Sequence, residues 1–235
     1  MLFIKKKKKI LNYFLKYADV LVKILSLPCM IFIIYGVISS LFFVKMDIQQ
    51  KDAFRIIYVH VPSAYMSIFI YVIMGVMSIL YLTFKDEIFN IIAYSSVEIG
   101  AVFTFIALCT GSIWGKPMWG TWWIWDARLT SELILLFLYL GYLGLRKAIM
   151  NDFIASKSCA ILNLLGLINI PIIHYSVEWW YTLHQKATLS SRPTIEIEML
   201  YPLLAMILGF FLFYVLIVII SVKNEILIKK NIIDC

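Results

Sequence analysis

L-T-S-E-L-I-L-L-F-L-Y-L-G-Y-L-G-L-R-K, residues 129–147, decides how the chain is organised. Its apolar run is short for a bilayer crossing, which takes about 20 residues with a range of about 17–25, and it must carry Glu132. The next run, S-C-A-I-L-N-L-L-G-L-I-N-I-P-I-I at 158–173, is also short and contains Asn163, Asn169 and Pro171. Arg146, Lys147 and Lys157 lie between the two. Basic residues beside spans collect on the cytoplasmic side. If neither run crossed, these cations would share the outer side with all the tryptophan-rich sequence. Both are therefore read as spans.

Outward from this pair lie four longer apolar blocks, at 24–44, 64–84, 91–114 and 199–221. The expected fold is all-α, a polytopic six-transmembrane-helix bundle. Both termini are expected to be cytoplasmic, and residues 114–130 to form a tryptophan-rich outer loop. With no internal repeat or Gly/Ser linker, residues 1–235 read as one integral membrane domain. Composition agrees: 63% of the 235 residues are hydrophobic and 15% charged, whereas soluble domains average about 45–50% and about 25%. Disorder is excluded as well, since it needs few aromatics and dense charge.

The formal net charge of +7 would suggest nucleic acid in a soluble protein. Here it marks orientation. On the six-span topology fourteen Lys and Arg fall inside, among them the run at residues 5–9, and seven outside. The acids divide so that the inner side nets +8, the outer side nothing, and Glu98 within the third span −1. The lysine run reads as a topology anchor facing anionic lipid. The block after it is too long for a signal sequence and reads as an uncleaved first span.

The outer segments hold every histidine (His60, His174, His184) and, counting Trp114 at the membrane edge, every tryptophan. An interfacial belt would place tryptophan on both faces, as it does tyrosine; the inner side has none. Several tryptophans together make a shelf for a planar, mostly apolar ligand. Gly115, Pro117 and Gly120 favour turns, so Trp114, Trp119, Trp122, Trp123 and Trp125 are expected on one loop beside the bilayer. Asp126 is placed either to complement the N-terminus of the next helix or to pair with Arg128.

Two histidines in separate outer loops beside such a shelf suit metal ligation. Haem iron takes axial imidazoles, and its ring is planar and apolar with anionic propionates. His60 precedes Pro62, which fits the first turn of the second span. His184, four residues after Trp180, shares its face if that stretch is helical. His174 reads as a buried, hydrogen-bonded histidine at the end of the fifth span. Arg55, Lys116, Arg128 and Arg192 are the outer cations for propionates, and arginine suits a planar carboxylate best. Glu98 is expected to face the bundle interior, handling protons or pairing with Asn163 or Asn169; Glu132, near the membrane edge, calls for no role. The four cysteines read as buried thiols with no C-x-x-C spacing.

W-G-T-W-W-I-W-D-A-R-L-T at 119–130 resembles the WWD motif of membrane haem-handling proteins. Together with V-H-V-P at 59–62 and S-V-E-W-W-Y-T-L-H-Q at 176–185, it makes the chain, from about residue 24 to 221, similar to the cytochrome c maturation protein C family (CcmC, haem exporter protein C). The resemblance implies an inner-membrane protein that holds haem non-covalently at its periplasmic surface and passes it to the haem chaperone CcmE. Implied partners are the ABC-transporter subunits CcmA and CcmB and the small membrane protein CcmD. His60 and His184 match the family's axial-ligand positions, and the tryptophans of 114–126 its haem-facing loop.

No nucleotide-binding phosphate loop is present, so ATP use belongs to a partner. A haem lyase is the first alternative, though the chain lacks the extra spans and outer domain of such enzymes. A haem transporter is the second, though the inner half of the spans offers few polar residues beyond Glu98.

Overall fold

The computed structural model describes residues 2–184 and 195–234, with side chains described from 12 to 229. Its helices are α1 (Leu2–Ile38), α2 (Ile57–Phe84), α3 (Glu87–Trp119), α4 (Ala127–Ala148), α5 (Asp152–Gly166), α6 (Asn169–Trp179) and α7 (Ile197–Asp234). A π-helical turn, Ser39–Phe43, follows α1, and a 3-10 turn, Asp52–Ile56, leads into α2. Six segments are long and apolar enough to cross a membrane, with α5 and α6 together making the fifth. The six-span helical bundle expected from the sequence is the fold found.

Helix boundaries follow local chemistry. α3, α4 and α5 each start at an Asx cap: Asp86 accepts from the Ile88 N–H at 3.0 Å, Asp126 from Leu129 at 2.8 Å and Asn151 from Ile154 at 3.0 Å. Each cap satisfies a donor the helix leaves free and contributes about 1 kcal/mol. α3 ends where Gly120 takes φ +79° and returns its N–H to the Lys116 carbonyl at 3.1 Å, a left-handed stop that glycine adopts at little cost.

The fifth span, expected as one run, is broken into α5 and α6. Pro171 has no N–H to give to the Leu167 carbonyl. The chain tightens over Leu167 and Ile168, whose N–H groups bond carbonyls three residues back at 3.3 Å. Gly166 just before the break lies against the Tyr71 hydroxyl of α2, in space a β-carbon would occupy.

α2 packs along α3 and α1 along α7, while α4, α5 and α6 close the other side. The main core joins Ile70, Tyr71 and Met74 of α2, Val97 and Phe103 of α3, Leu135 and Tyr139 of α4, and Cys159 of α5. Buried polar groups bind one another across it. Ser67 donates to Glu132 at 2.7 Å and the Tyr139 hydroxyl to the Ser67 carbonyl at 2.7 Å. Asn163 donates to Ser78 at 3.1 Å, and Asn169 to the Ser131 carbonyl at 2.9 Å.

Several expectations are corrected. Glu98 is exposed on α3 and pairs with neither asparagine, both of which are buried. Glu132 is buried and bonded rather than idle at an edge. The half of the bundle nearer the two termini, expected to offer few polar residues beyond Glu98, buries Ser78, Asn90, Ser96, Ser156 and Asn163. The stretch expected as a loop over 114–130 is helical to Trp119 and again from Ala127, since a long helix tolerates Gly115 and Pro117 near its end. α2 begins at Ile57, so Pro62 lies within it and not in its first turn. Cys29 and Cys159 are buried as expected, and Cys109 is half-buried. Arg192, Lys186 and Cys235, and the side chains of residues 5–9, lie outside the described residues.

Candidate functional site

Where α2, α3, α4 and α6 meet at one end of the bundle, they enclose a cavity of about 230 Å³. Ile57, Val61, Ala64 and Ile68 give its α2 wall an apolar surface, Trp114, Met118 and Trp119 form the α3 wall, and Arg128 stands at the α4 side. All three histidines line it. A second space of about 30 Å³ lies among His60, Arg128, Glu132 and His184.

His60 sits at the end of the first turn of α2 and reaches across to α3. Its Nδ1 lies 3.0 Å from the Ala107 carbonyl and 3.1 Å from the Thr110 hydroxyl. The carbonyl can only accept, so the ring carries its proton on Nδ1. Nε2 is left with no partner among the described residues. Gly111, next to Thr110, lets the ring approach, since a β-carbon there would stand 3.0 Å from the imidazole.

His184 comes from the irregular segment after α6. Trp180 therefore does not share a helical face with it, because the helix ends at Trp179. Its Nδ1 faces the second oxygen of Asp126 at 3.8 Å, and both atoms are buried without another partner. Asp126 thus does two things, capping α4 with Oδ1 and standing behind His184 with Oδ2. Burial would raise its carboxyl, but the adjacent imidazole and the Leu129 and Arg128 N–H groups outweigh burial and hold it below the ordinary value. A carboxylate behind an imidazole fixes tautomer and orientation and leaves Nε2 to ligate.

Each of these histidines meets a tryptophan. The His60 ring is 5.8 Å from Trp114, near edge-on at 78°, and the His184 ring 4.9 Å from Trp119. Trp114 is held by Gln50, which accepts its indole N–H at 2.9 Å. Trp122, Trp123 and Trp125 are not among the cavity residues: Trp123 and Trp125 pack edge to face at 5.4 Å, and Trp122 lies 6.0 Å from the Lys116 ammonium. Trp114 and Trp119 belong to α3 and the other three follow it, so the five rings are not on one loop.

Two of the candidate arginines behave differently. Arg128 lines the cavity and donates to the Ile173 carbonyl at 2.6 Å, so it is not paired with Asp126. Arg55 is committed elsewhere. It donates to the carbonyls of Ser40 and, at 3.3 Å, Val44, meets Asp52 at 3.1 Å and stacks on Phe54. His174 is exposed on the cavity wall instead of buried in hydrogen bonds.

Residues the sequence did not point to also belong here. Gln50, Tyr65 and Glu178 line the main cavity and Glu132 the smaller one. Only Glu178 carries a local signal, one helical turn after His174.

Fold and site define a multi-pass helical membrane protein with a cavity at one end walled by histidine, tryptophan and arginine. The model of the haem exporter protein C family, CcmC, matches residues 8–233. Haem exporter protein C of Escherichia coli is 46% identical over 207 residues, covering 88% of this chain and 84% of the relative. The Haemophilus influenzae protein of that name is 45% identical over 194 residues, 82% and 79% of the two chains. A putative cytochrome c biosynthesis CcmC-like mitochondrial protein of Marchantia polymorpha is 43% identical over 197 residues, 83% and 82%. The chain belongs to the CcmC family.

Proposed function

We propose that this protein is the haem-handling membrane component of c-type cytochrome biogenesis and that it carries haem as cargo without chemically altering it. The observation that carries the reading is that His60 and His184, from distant parts of the chain, open on one cavity with each Nδ1 side facing a protein acceptor. Family membership and the names of the relatives support it.

The residues present fit such a ligand. Haem supplies iron with two axial positions and a planar apolar ring bearing two carboxylates. His60 and His184 are the two axial imidazoles. The His60 Nδ1, hydrogen-bonded to α3, reduces the freedom that ring loses on binding. Trp114 and Trp119 offer apolar faces, and Asp126 keeps His184 in position. Arg128, with guanidinium nitrogens beyond the one bonded to Ile173, receives a propionate. Trp122, Trp123 and Trp125, on the segment that follows Trp119, offer a surface for an acceptor protein. Arg55 acts from behind, holding the turn after α1, and Arg192 remains a candidate for the second propionate.

The excess of Lys and Arg on one side supports an orientation with both termini in the cytoplasm and the cavity at the periplasmic face of the inner membrane. Transfer then runs from the cavity to the chaperone CcmE, in assembly with CcmA, CcmB and CcmD. Release needs one histidine to let go as the acceptor's ligand arrives.

The experiment is an absorption spectrum of the purified protein, repeated with His60→Ala and His184→Ala. Bound, six-coordinate haem in the wild type and altered spectra in both variants are expected. A haem-free wild type, or spectra unchanged by both substitutions, overturns the assignment. Protease protection of a C-terminal tag in sealed inverted vesicles would overturn the orientation.

A further inference from the structure

Three histidines line the cavity, and they are fixed to different degrees. His60 Nδ1 sits against the Ala107 carbonyl and the Thr110 hydroxyl, and His184 Nδ1 faces Asp126. His174 has no hydrogen bond to either ring nitrogen among the described residues. Its ring contact is the edge of Tyr175 at 4.7 Å and 87°, and Tyr175 in turn stacks on Trp179 at 5.1 Å. The side chain is exposed on α6, one turn before Glu178, which lines the same cavity. Unanchored, His174 can change rotamer, and either nitrogen can ligate a metal.

The two held histidines are not held equally. His60 has two partners at hydrogen-bond distance, whereas the 3.8 Å between His184 and Asp126 exceeds one. His184 is the more loosely fixed of the pair, so it is the one more readily replaced.

We propose that His174 is the exchange ligand of the cavity, the imidazole that takes the iron position of His184 when His184 lets go. The step is a ligand substitution in which an iron–nitrogen bond to His174 forms as the one to His184 breaks. No electron or proton changes hands. This inference rests on the haem-carrying reading above. A third imidazole lets the cavity keep two nitrogen ligands while its His184 side opens to an acceptor.

The test uses the full-length protein in detergent micelles, loaded with ferric haem and read by electron paramagnetic resonance and absorption. His184→Ala is expected to keep a low-spin, six-coordinate signal, shifted from that of the wild type. His184→Ala/His174→Ala is expected to lose that signal and become high-spin, and added imidazole to restore it, which shows an intact cavity. The single variant His174→Ala is expected to keep the wild-type resting spectrum. Should His184→Ala already be high-spin, or the double variant remain low-spin, the inference about His174 fails while the His60/His184 assignment stands. A double variant that imidazole cannot return to low spin also overturns it. A wild-type protein that takes up no haem overturns both.

Discussion

Asp126 Oδ2 and His184 Nδ1 face each other at 3.8 Å, each buried and without another partner, while Asp126 Oδ1 caps α4. One carboxylate thus joins the start of a helix to the orientation of a ring nearly sixty residues later. Acids at helix starts are common, and the second oxygen is what gives this one a place in the site.

Separating those two roles gives a first prediction. Asp126→Ala removes both, costing about 1 kcal/mol for the cap and weakening haem affinity about 10- to 100-fold through loss of the carboxylate behind His184. Asp126→Asn keeps a capping oxygen and is expected to retain most of the stability while still losing affinity. Because the folded-state carboxyl is held below its ordinary value, its charge stabilises the fold fully above the unfolded pKa of about 3.9. That contribution is lost as pH falls through the lowered folded-state value. Thermal unfolding in detergent from pH 6 to pH 3 should show a smaller acid loss for Asp126→Asn than for the wild type.

Thr110 shares the His60 Nδ1 with the Ala107 carbonyl. Thr110→Val preserves shape and removes the hydroxyl. About 10-fold weaker haem binding is expected, with an unchanged low-spin spectrum, because the carbonyl alone still sets the tautomer. Equilibrium titration of the variant checks it; a high-spin spectrum would contradict it.

Arg128 and Arg55 should part company. Arg128→Ala is expected to lower affinity for haem while leaving that for haem dimethyl ester nearly unchanged, since the ester has no carboxylate to lose. Arg55→Ala is expected to lower thermal stability and affect both ligands alike, because its guanidinium serves the carbonyls of Ser40 and Val44. Equal discrimination by both variants would show that Arg128 does not meet a carboxylate.

Gly166 and Tyr71 test the packing of the broken span. Gly166→Ala puts a methyl where the Tyr71 hydroxyl lies, and overpacking of this kind costs about 1–3 kcal/mol. Tyr71→Phe in the same chain removes the oxygen and should recover part of the loss. A cycle of unfolding measurements on the two single variants and the double variant gives the coupling.

Ser67 is the hydroxyl partner of Glu132. Ser67→Ala leaves a buried carboxylate oxygen without its donor, for about 1–3 kcal/mol or more. Ser67→Ala with Glu132→Leu should lie closer to the wild type than Ser67→Ala alone, as removing both partners of a buried pair costs less than removing one.

Much of this was legible in the chain. Six apolar blocks, the Asp126 cap and the gathering of histidine and tryptophan in the segments between alternate spans all follow from local composition. Local chemistry leaves such signals because burial in lipid and helix capping act over a few residues. Residues 158–173 read as one span; its break at Leu167 depends on Pro171 together with how closely Tyr71 approaches Gly166.

Tertiary structure decided the rest. It assigned Trp114 and Trp119 to the cavity and left Trp122, Trp123 and Trp125 out, turned Arg128 inward and tied Arg55 to the end of α1. It also buried Glu132, exposed Glu98, and brought His174 into the same cavity as the other two histidines. None of these follows from residue type or spacing, because each depends on which face of one helix meets another. In a bilayer that choice is made by packing and by polar groups finding partners, not by hydrophobicity, since lipid is as apolar as the helix surfaces themselves.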